Sequence, residues 1–172
     1  MSTAARSIPV GVVVERRKAI SQWAETLWRP VAVLVGSPDV AAWTVLAQDG
    51  HRVAYYAGSS EIALYGSEVE NYRRNLSSET PAVWVVMHAT AGEPPYVIGG
   101  VSVDPAEGER WSETGTAIVE AVAMPAAVRD EIAAFVAQFP AQPNFVKRQR
   151  DRADPEVLAR QAPRSRRLDG RR

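Results

Sequence analysis

The chain has no cysteine and only two histidines, His51 and His88, among its 172 residues. Without a thiol there is no disulfide framework, no thiolate zinc or iron–sulfur site and no cysteine nucleophile. The two histidines lie far apart in sequence, with no partner at i, i+4 and no acid at ligand spacing, so no metal motif is spelled. Lysine is scarce as well: Lys18 and Lys147 follow Arg17 and Val146 rather than a glycine-rich turn. A Walker phosphate loop is therefore absent, and no G-x-G-x-x-G run occurs. Long apolar runs are missing too. Runs such as residues 10–14 and 31–35 are strand-sized, against the roughly 18–20 residues that span a bilayer. Residues 1–7 are small and polar, and the roughly 7–15-residue apolar stretch of a signal peptide does not follow them. A cytoplasmic protein with no membrane span is expected.

Net charge is also absent, since 20 Lys+Arg balance 20 Asp+Glu, but the balance is uneven along the chain. Residues 145–172 hold ten basic and four acidic side chains, and the preceding 144 residues are correspondingly six negative. With 46% hydrophobic residues the chain can build one real core, and it is too short for two comfortable domains. Apolar periodicity ends near Arg150. The expected organisation is a flexible N-terminus over 1–7, a single domain over 8–146 and an Arg-rich tail over 147–172, disordered when alone.

Residues 8–17 read as a strand buried on both faces, because Val10, Val12, Val13 and Val14 cannot all point one way. Residues 28–35 read as a second strand, which Pro30 pushes toward a sheet edge; the intervening 17–26 is a loop or short helix. Asp49-Gly50 signals a type I′ hairpin between 43–48 and 51–57. After Gly58-Ser-Ser60, residues 61–65 form a third meander strand. Ser67-Glu-Val-Glu70 spells a capping box for a helix with Val69, Tyr72 and Leu76 on one face. Two strands follow at 81–89 and 96–103, with Gly99-Gly100 marking a bulge. Asp104-Pro-Ala-Glu107 supplies an N-cap, a Pro at N1 and a Glu at N3. A last strand spans 116–123, and from Pro125 to Pro140 a helix carries Val128, Ile132, Phe135, Val136 and Phe139 on one stripe. The class is α+β: a mainly antiparallel sheet, meander- or barrel-like, with short inserted helices, a C-terminal amphipathic helix and a basic disordered tail.

No catalytic constellation, metal site or cofactor is expected from these residues. Gly100-Val-Ser102 is half of a nucleophile elbow without its second glycine. His51 is a solvated turn residue; His88 is expected partly buried and hydrogen-bonded. Glu68, Glu70, Glu107 and Glu109 fall in helix first turns, where carboxylates favour the dipole. Three groups are candidates for interaction. Arg16, Arg17 and Lys18 with Trp23, Trp28 and Arg29 combine cations and aromatics as an anionic ligand or partner requires; the plainer reading is a solvated edge with core tryptophans. Arg73 and Arg74 lie on the exposed side of a helix. The tail beginning Phe145-Val-Lys147-Arg148-Gln-Arg150 suits an acidic protein surface, this chain's own acidic body included. Nucleic acid is disfavoured by that body and by the lack of aromatic interleaving.

Several segments together resemble a proteobacterial domain-of-unknown-function family. They are Ile8-Pro-Val-Gly-Val-Val-Val-Glu-Arg-Arg17, Trp28-Arg-Pro-Val-Ala-Val-Leu34, Tyr72-Arg-Arg-Asn-Leu76, Pro81-Ala-Val-Trp-Val-Val86, Glu120-Ala-Val-Ala-Met-Pro125 and Phe145-Val-Lys-Arg-Gln-Arg150. The genes of that family lie beside molybdenum formate dehydrogenase and its maturation factors. The resemblance implies an accessory role near formate dehydrogenase or its molybdenum cofactor, and it brings no catalytic residues with it. With no catalytic constellation and an uneven charge, the expectation is a non-enzymatic accessory or maturation protein that binds formate dehydrogenase or one of those factors through the Arg-rich tail and the Trp/Arg edge. The alternative is a molybdopterin- or nucleotide-binding protein whose Arg16, Arg17, Arg29, Arg73 and Arg74 hold phosphates. Some relatives are labelled molybdopterin-guanine dinucleotide biosynthesis protein A, a nucleotidyltransferase. This chain lacks that enzyme's Leu-Ala-Gly-Gly nucleotide loop after the first strand and its alternating βαβ pattern.

Overall fold

A strand with valines on both faces needs cover on both faces. The computed structural model, which describes residues 4–18 and 26–140, covers the core face of β1 (Arg6–Lys18) with side chains of the curled sheet and its helices and pairs both edges of the strand with antiparallel partners. These are β2 (Thr26–Val35) on one side and β4 (Arg52–Leu64) on the other. Val10, Val12, Val13 and Val14 are all buried. Strand β3 (Thr44–Asp49) pairs with the first half of β4, while β5 (Ala82–Ala89) pairs with both β6 (Tyr96–Ser102) and β7 (Ala117–Ala123). The sheet path runs β2-β1-β4-β6-β5-β7, with β3 attached to β4 off the path. Every pairing is antiparallel except a short parallel contact between β4 and β6 at Ile62 and Val101. The two ends of the path, β2 and β7, approach each other, so the sheet is nearly closed and barrel-like.

Three short helices complete the α+β fold. α1 (Val69–Leu76) and α3 (Ala126–Val136) pack together, and α2 (Pro105–Glu113) lies against β5 and β7. Their apolar faces meet the inner side of the sheet: Tyr72 from α1 and Ile132 and Phe135 from α3 join Ile8, Ile62 and Val85 in one core. Asp104 caps α2 as its sequence predicts, its carboxylate accepting from the Ala106 N–H at 2.9 Å ahead of Pro105. Gly99 is the unpaired residue of a bulge, since Val86 faces Gly100 and Met87 faces Ile98. Pro30 lies in β2, at one end of the sheet path, beside another bulge, where Val31 is unpaired because Val13 faces Ala32 and Val14 faces Pro30.

Several local expectations are corrected. The hairpin turn is Gly50-His51 and not Asp49-Gly50, because Asp49 pairs with Arg52. Only Gly50 takes positive φ (47°), so the two-residue loop needs one left-handed position where type I′ would need two. Gly58-Ser-Ser60 is no turn, and residues 61–64 are no separate strand; β4 runs unbroken through both. Its Tyr56-Ala57-Gly58 stretch is a bulge against Val12 and Val13, where the Tyr56 and Ser59 hydroxyls hydrogen-bond at 2.6 Å. A bulge bends a strand without ending its ladder, which a residue-by-residue turn signal does not distinguish. Ser67 and Glu70 form no capping box: Ser67 sits inside a 3-10 turn, Gly66–Glu68, and α1 has no side-chain cap. His88 is exposed near the end of β5, with no side-chain hydrogen bond among the described residues; its ring lies over Gly99, where a Cβ would overlap it. Trp23 and the tail, including the candidates Lys147, Arg148 and Arg150 and the expected disorder, lie outside the described residues.

One close approach fixes α2 on the sheet. Gly108 is buried, and a Cβ there would overlap the Trp84 indole of β5. Gly108→Ala gains a little helix propensity, up to about 1 kcal/mol, but forces the helix or the indole to move. The expected outcome is net destabilisation of about 1–3 kcal/mol, read as a lower urea midpoint at unchanged slope.

Candidate functional site

Side chains alternate across a strand, so adjacent residues at the end of β1 must serve opposite faces. The register shows the division. Arg16 pairs with Trp28 and Val53; Arg17 pairs with Leu27 and Arg52; Glu15 pairs with Arg29 and Ala54. The cluster that looks continuous in sequence is thus two surfaces.

On the Arg16 face four rings meet. Trp28 stacks on Tyr55 at 5.6 Å between centroids, meets Trp43 edge-on at 5.9 Å and lies tilted to Tyr96 at 6.0 Å. The Arg16 guanidinium stands 5.7 Å from the Trp28 ring and 5.8 Å from Tyr55, within cation–π range. All four rings are half-buried, resting on the core while leaving area to solvent. Trp43 holds its place with a left-handed backbone, φ 66°, and its N–H donates to the Tyr56 carbonyl at 2.5 Å. That conformation costs a bulky residue on the order of 1–3 kcal/mol. Val45, opposite Tyr55 on β3, is 51% exposed and extends the apolar surface.

On the other face a buried carboxylate sits among arginines. Glu15 is only 8% exposed. It accepts from the Arg17 guanidinium and lies 3.6 Å from that of Arg52. Arg29 is its cross-strand neighbour on β2, and Asp49 stands opposite Arg52 at the hairpin end. Leu27, 52% exposed, lies beside Arg17. Arg52, Glu15, Trp43, Tyr55 and Tyr96 are the members that sequence reasoning missed. For Arg52, Glu15 and Tyr55 the signal was the β1–β2–β4 register, which needs the bulge positions before it can be drawn; Trp43 and Tyr96 lie outside those strands and had no such signal.

The helical arginines part company. Arg73 is no solvated residue: it bridges to Glu70 and donates to the carbonyls of Phe139 at 2.5 Å and Val136 at 3.3 Å. It therefore caps the C-terminus of α3, which has no basic residue in its own last turn. Arg74 is exposed, on the rim of a shallow, mainly apolar groove with Trp84 and Pro105. Arg16, Arg17, Arg29, Arg73 and Arg74 are not gathered around one phosphate.

A second cleft, of about 260 Å³, is lined by Tyr65, Glu68, Tyr72, Asp104, Glu107 and Arg110. Asp104 is already spent on capping α2. Burial pushes the Tyr72 phenol up to about 12, helped by Asp104, Glu68 and Glu107, against a hydrogen bond from the Tyr65 N–H. Ser102 is buried and its hydroxyl accepts from the Asp104 N–H at 3.1 Å, a turn contact rather than an exposed nucleophile. Among the described residues no group of three or more His, Asp or Glu is placed to hold a metal ion. No described helix is long and apolar enough to cross a membrane.

Fold and surface together define a small α+β protein on a nearly closed sheet, with an aromatic–arginine patch at the end of its central strand. The chain belongs to the family described as protein of unknown function DUF3305, whose model matches residues 9–150. No curated protein and no solved structure matches it.

Two outcomes test these assignments. Arg73→Ala is expected to lose about 1.5–3 kcal/mol, the range for hydrogen bonds to a charged group. Arg74→Ala should stay within about 0.5 kcal/mol; chemical denaturation distinguishes them. For Tyr72, both folded and unfolded states keep the phenolic proton below about pH 10, and only the folded state keeps it between there and about 12. Stability should therefore fall as pH rises through that window, by up to about 1.4 kcal/mol per pH unit. In Tyr72→Phe that component of the slope should disappear.

Proposed function

We propose that this protein is a non-enzymatic accessory protein that acts by docking another protein onto the Trp28 surface. The observation that carries this reading is the half-buried ring cluster of Trp28, Trp43, Tyr55 and Tyr96. Trp, Tyr and Arg are the residues that dominate binding hot spots, because rigid rings bury large areas at small entropic cost. Here a strained backbone is maintained at Trp43, although a core would be filled as well by an unstrained apolar residue. The proposed partner is a molybdenum-dependent formate dehydrogenase or one of its maturation factors, met in the cytoplasm. That part rests on the family resemblance of the segments from Ile8 to Arg150. Against the phosphate-ligand alternative, Arg73 is committed to α3 and cannot join the arginines of β1 and β2.

The test is calorimetric titration of the full chain against purified formate dehydrogenase and, separately, its maturation factors. Trp28→Ala and the exposed Val45→Glu should each weaken binding by about tenfold or more, as hot-spot truncation does. Arg74→Ala should leave it unchanged. Binding that survives both patch variants at wild-type strength, with folding verified by circular dichroism, would sink the docking surface. Absence of binding to any of these proteins would remove the formate dehydrogenase assignment.

A further inference from the structure

We infer that the opposite face of the same strand end, built from Arg17, Arg29, Arg52 and Leu27 around Glu15, binds an acidic segment of a protein partner. The inference rests on the protein-docking reading above and adds a second, chemically distinct contact to it.

Charge distribution is the first support. The described residues hold ten cations and fifteen carboxylates. Five of those cations, Arg16, Arg17, Lys18, Arg29 and Arg52, share neighbouring rows of the β1–β2–β4 ladder, with only Glu15 and Asp49 as acids there. Among the described residues this end carries a surplus of three positive charges over its two faces, with Arg17, Arg29 and Arg52 against Glu15 and Asp49 on the face in question, while the remaining described residues carry five cations against thirteen carboxylates. Within the described residues this polarisation steers an acidic segment to one end and away from the rest. A long nucleic acid would have to run on past the acidic remainder, whereas a short acidic peptide ends before it. That contrast selects the peptide.

Local construction is the second support. Glu15 is nearly buried, and a carboxylate in that position holds the guanidinium groups of Arg17 and Arg52 in place beside it. Each guanidinium has five donors, and one carboxylate cannot use all of them. The unused donors are already oriented, so an incoming carboxylate finds them at reduced entropic cost. Ala54, which pairs with Glu15, and Ala47, which pairs with Ala54, are small, so the arginines stand above a low floor. Leu27 adds an exposed apolar contact beside Arg17. The arrangement fits alternating acidic and aliphatic side chains in an extended segment.

The test uses the full chain and a labelled, acetylated octapeptide of alternating Glu and Leu, followed by fluorescence anisotropy. Its Gln/Leu counterpart and an eight-nucleotide oligodeoxythymidine serve as competing probes. The acidic peptide should bind, and its affinity should drop about tenfold or more between roughly 50 and 300 mM salt, as screening requires. Arg29→Gln combined with Arg52→Gln, both exposed positions, should weaken it by about tenfold or more. Trp28→Ala should leave it unchanged. The inference is overturned if the Gln/Leu peptide binds equally well, if the oligonucleotide binds more tightly, if the double variant binds as the wild type does, or if the acidic peptide does not bind. Formate dehydrogenase titrated in parallel separates the two readings. Loss of that binding in Trp28→Ala, with no acidic-peptide binding, would leave the docking reading standing and this inference refuted.

Discussion

Everything in this fold depends on hiding β1. Five consecutive residues, Val10 to Val14, have no polar side chain among them, and the strand becomes stable only when both edges are paired and both faces are covered. Pairing with β2 and β4 satisfies the edges. Covering the faces requires the sheet to curl until β2 approaches β7, with α1 and α3 supplying apolar side chains to the same core. Curling a sheet over so few strands needs bends, and the bulges of β2, β4 and β6 supply them.

The same central strand organises the surface. Beyond Val14 it leaves the core, and its alternation sends Arg16 to the aromatic rings and Arg17 to Glu15. Two unlike surfaces therefore share one rigid ladder, and neither depends on a long loop for its geometry. Trp43 is the exception. It sits before β3 in a backbone conformation that a bulky residue rarely adopts, anchored by one hydrogen bond to β4. Rigid support on one side and local strain on the other is the pattern expected where a site is held ready for contact.

Much of the architecture was legible in the sequence. The buried first strand, the Asp104-Pro105 helix start, the α3 stripe and the Gly99 bulge each announce themselves through strong local chemistry. What was illegible depended on partners distant in sequence. The Gly58-Ser-Ser60 stretch has turn composition, yet β1 supplies a continuous ladder along it, beginning beside a bulge at Ala57. Ser67 and Glu70 spell a cap, but the chain enters α1 through a 3-10 turn and the cap never forms. The arginines were the hardest. Arg16 and Arg17 are neighbours in sequence and strangers in space, while Arg17 and Arg52 are 35 positions apart and flank one carboxylate. The pleat separates the first pair and the register joins the second, and neither is visible until the strands are aligned.

Arg73 links α1 to the end of α3, which packs directly against it. Local donors from Ala137, Gln138 and Phe139 reach carbonyls in the last turn of α3, and a side chain on α1, more than sixty residues earlier, adds its own donors to the Val136 and Phe139 carbonyls. Helix ends ordinarily fray on their own, independently of the rest of the molecule. Fraying here also breaks the Arg73 contact, so solvent exchange at the end of α3 is coupled to the docking of α1. The two helices behave as a single cooperative unit, and loosening either one loosens the other.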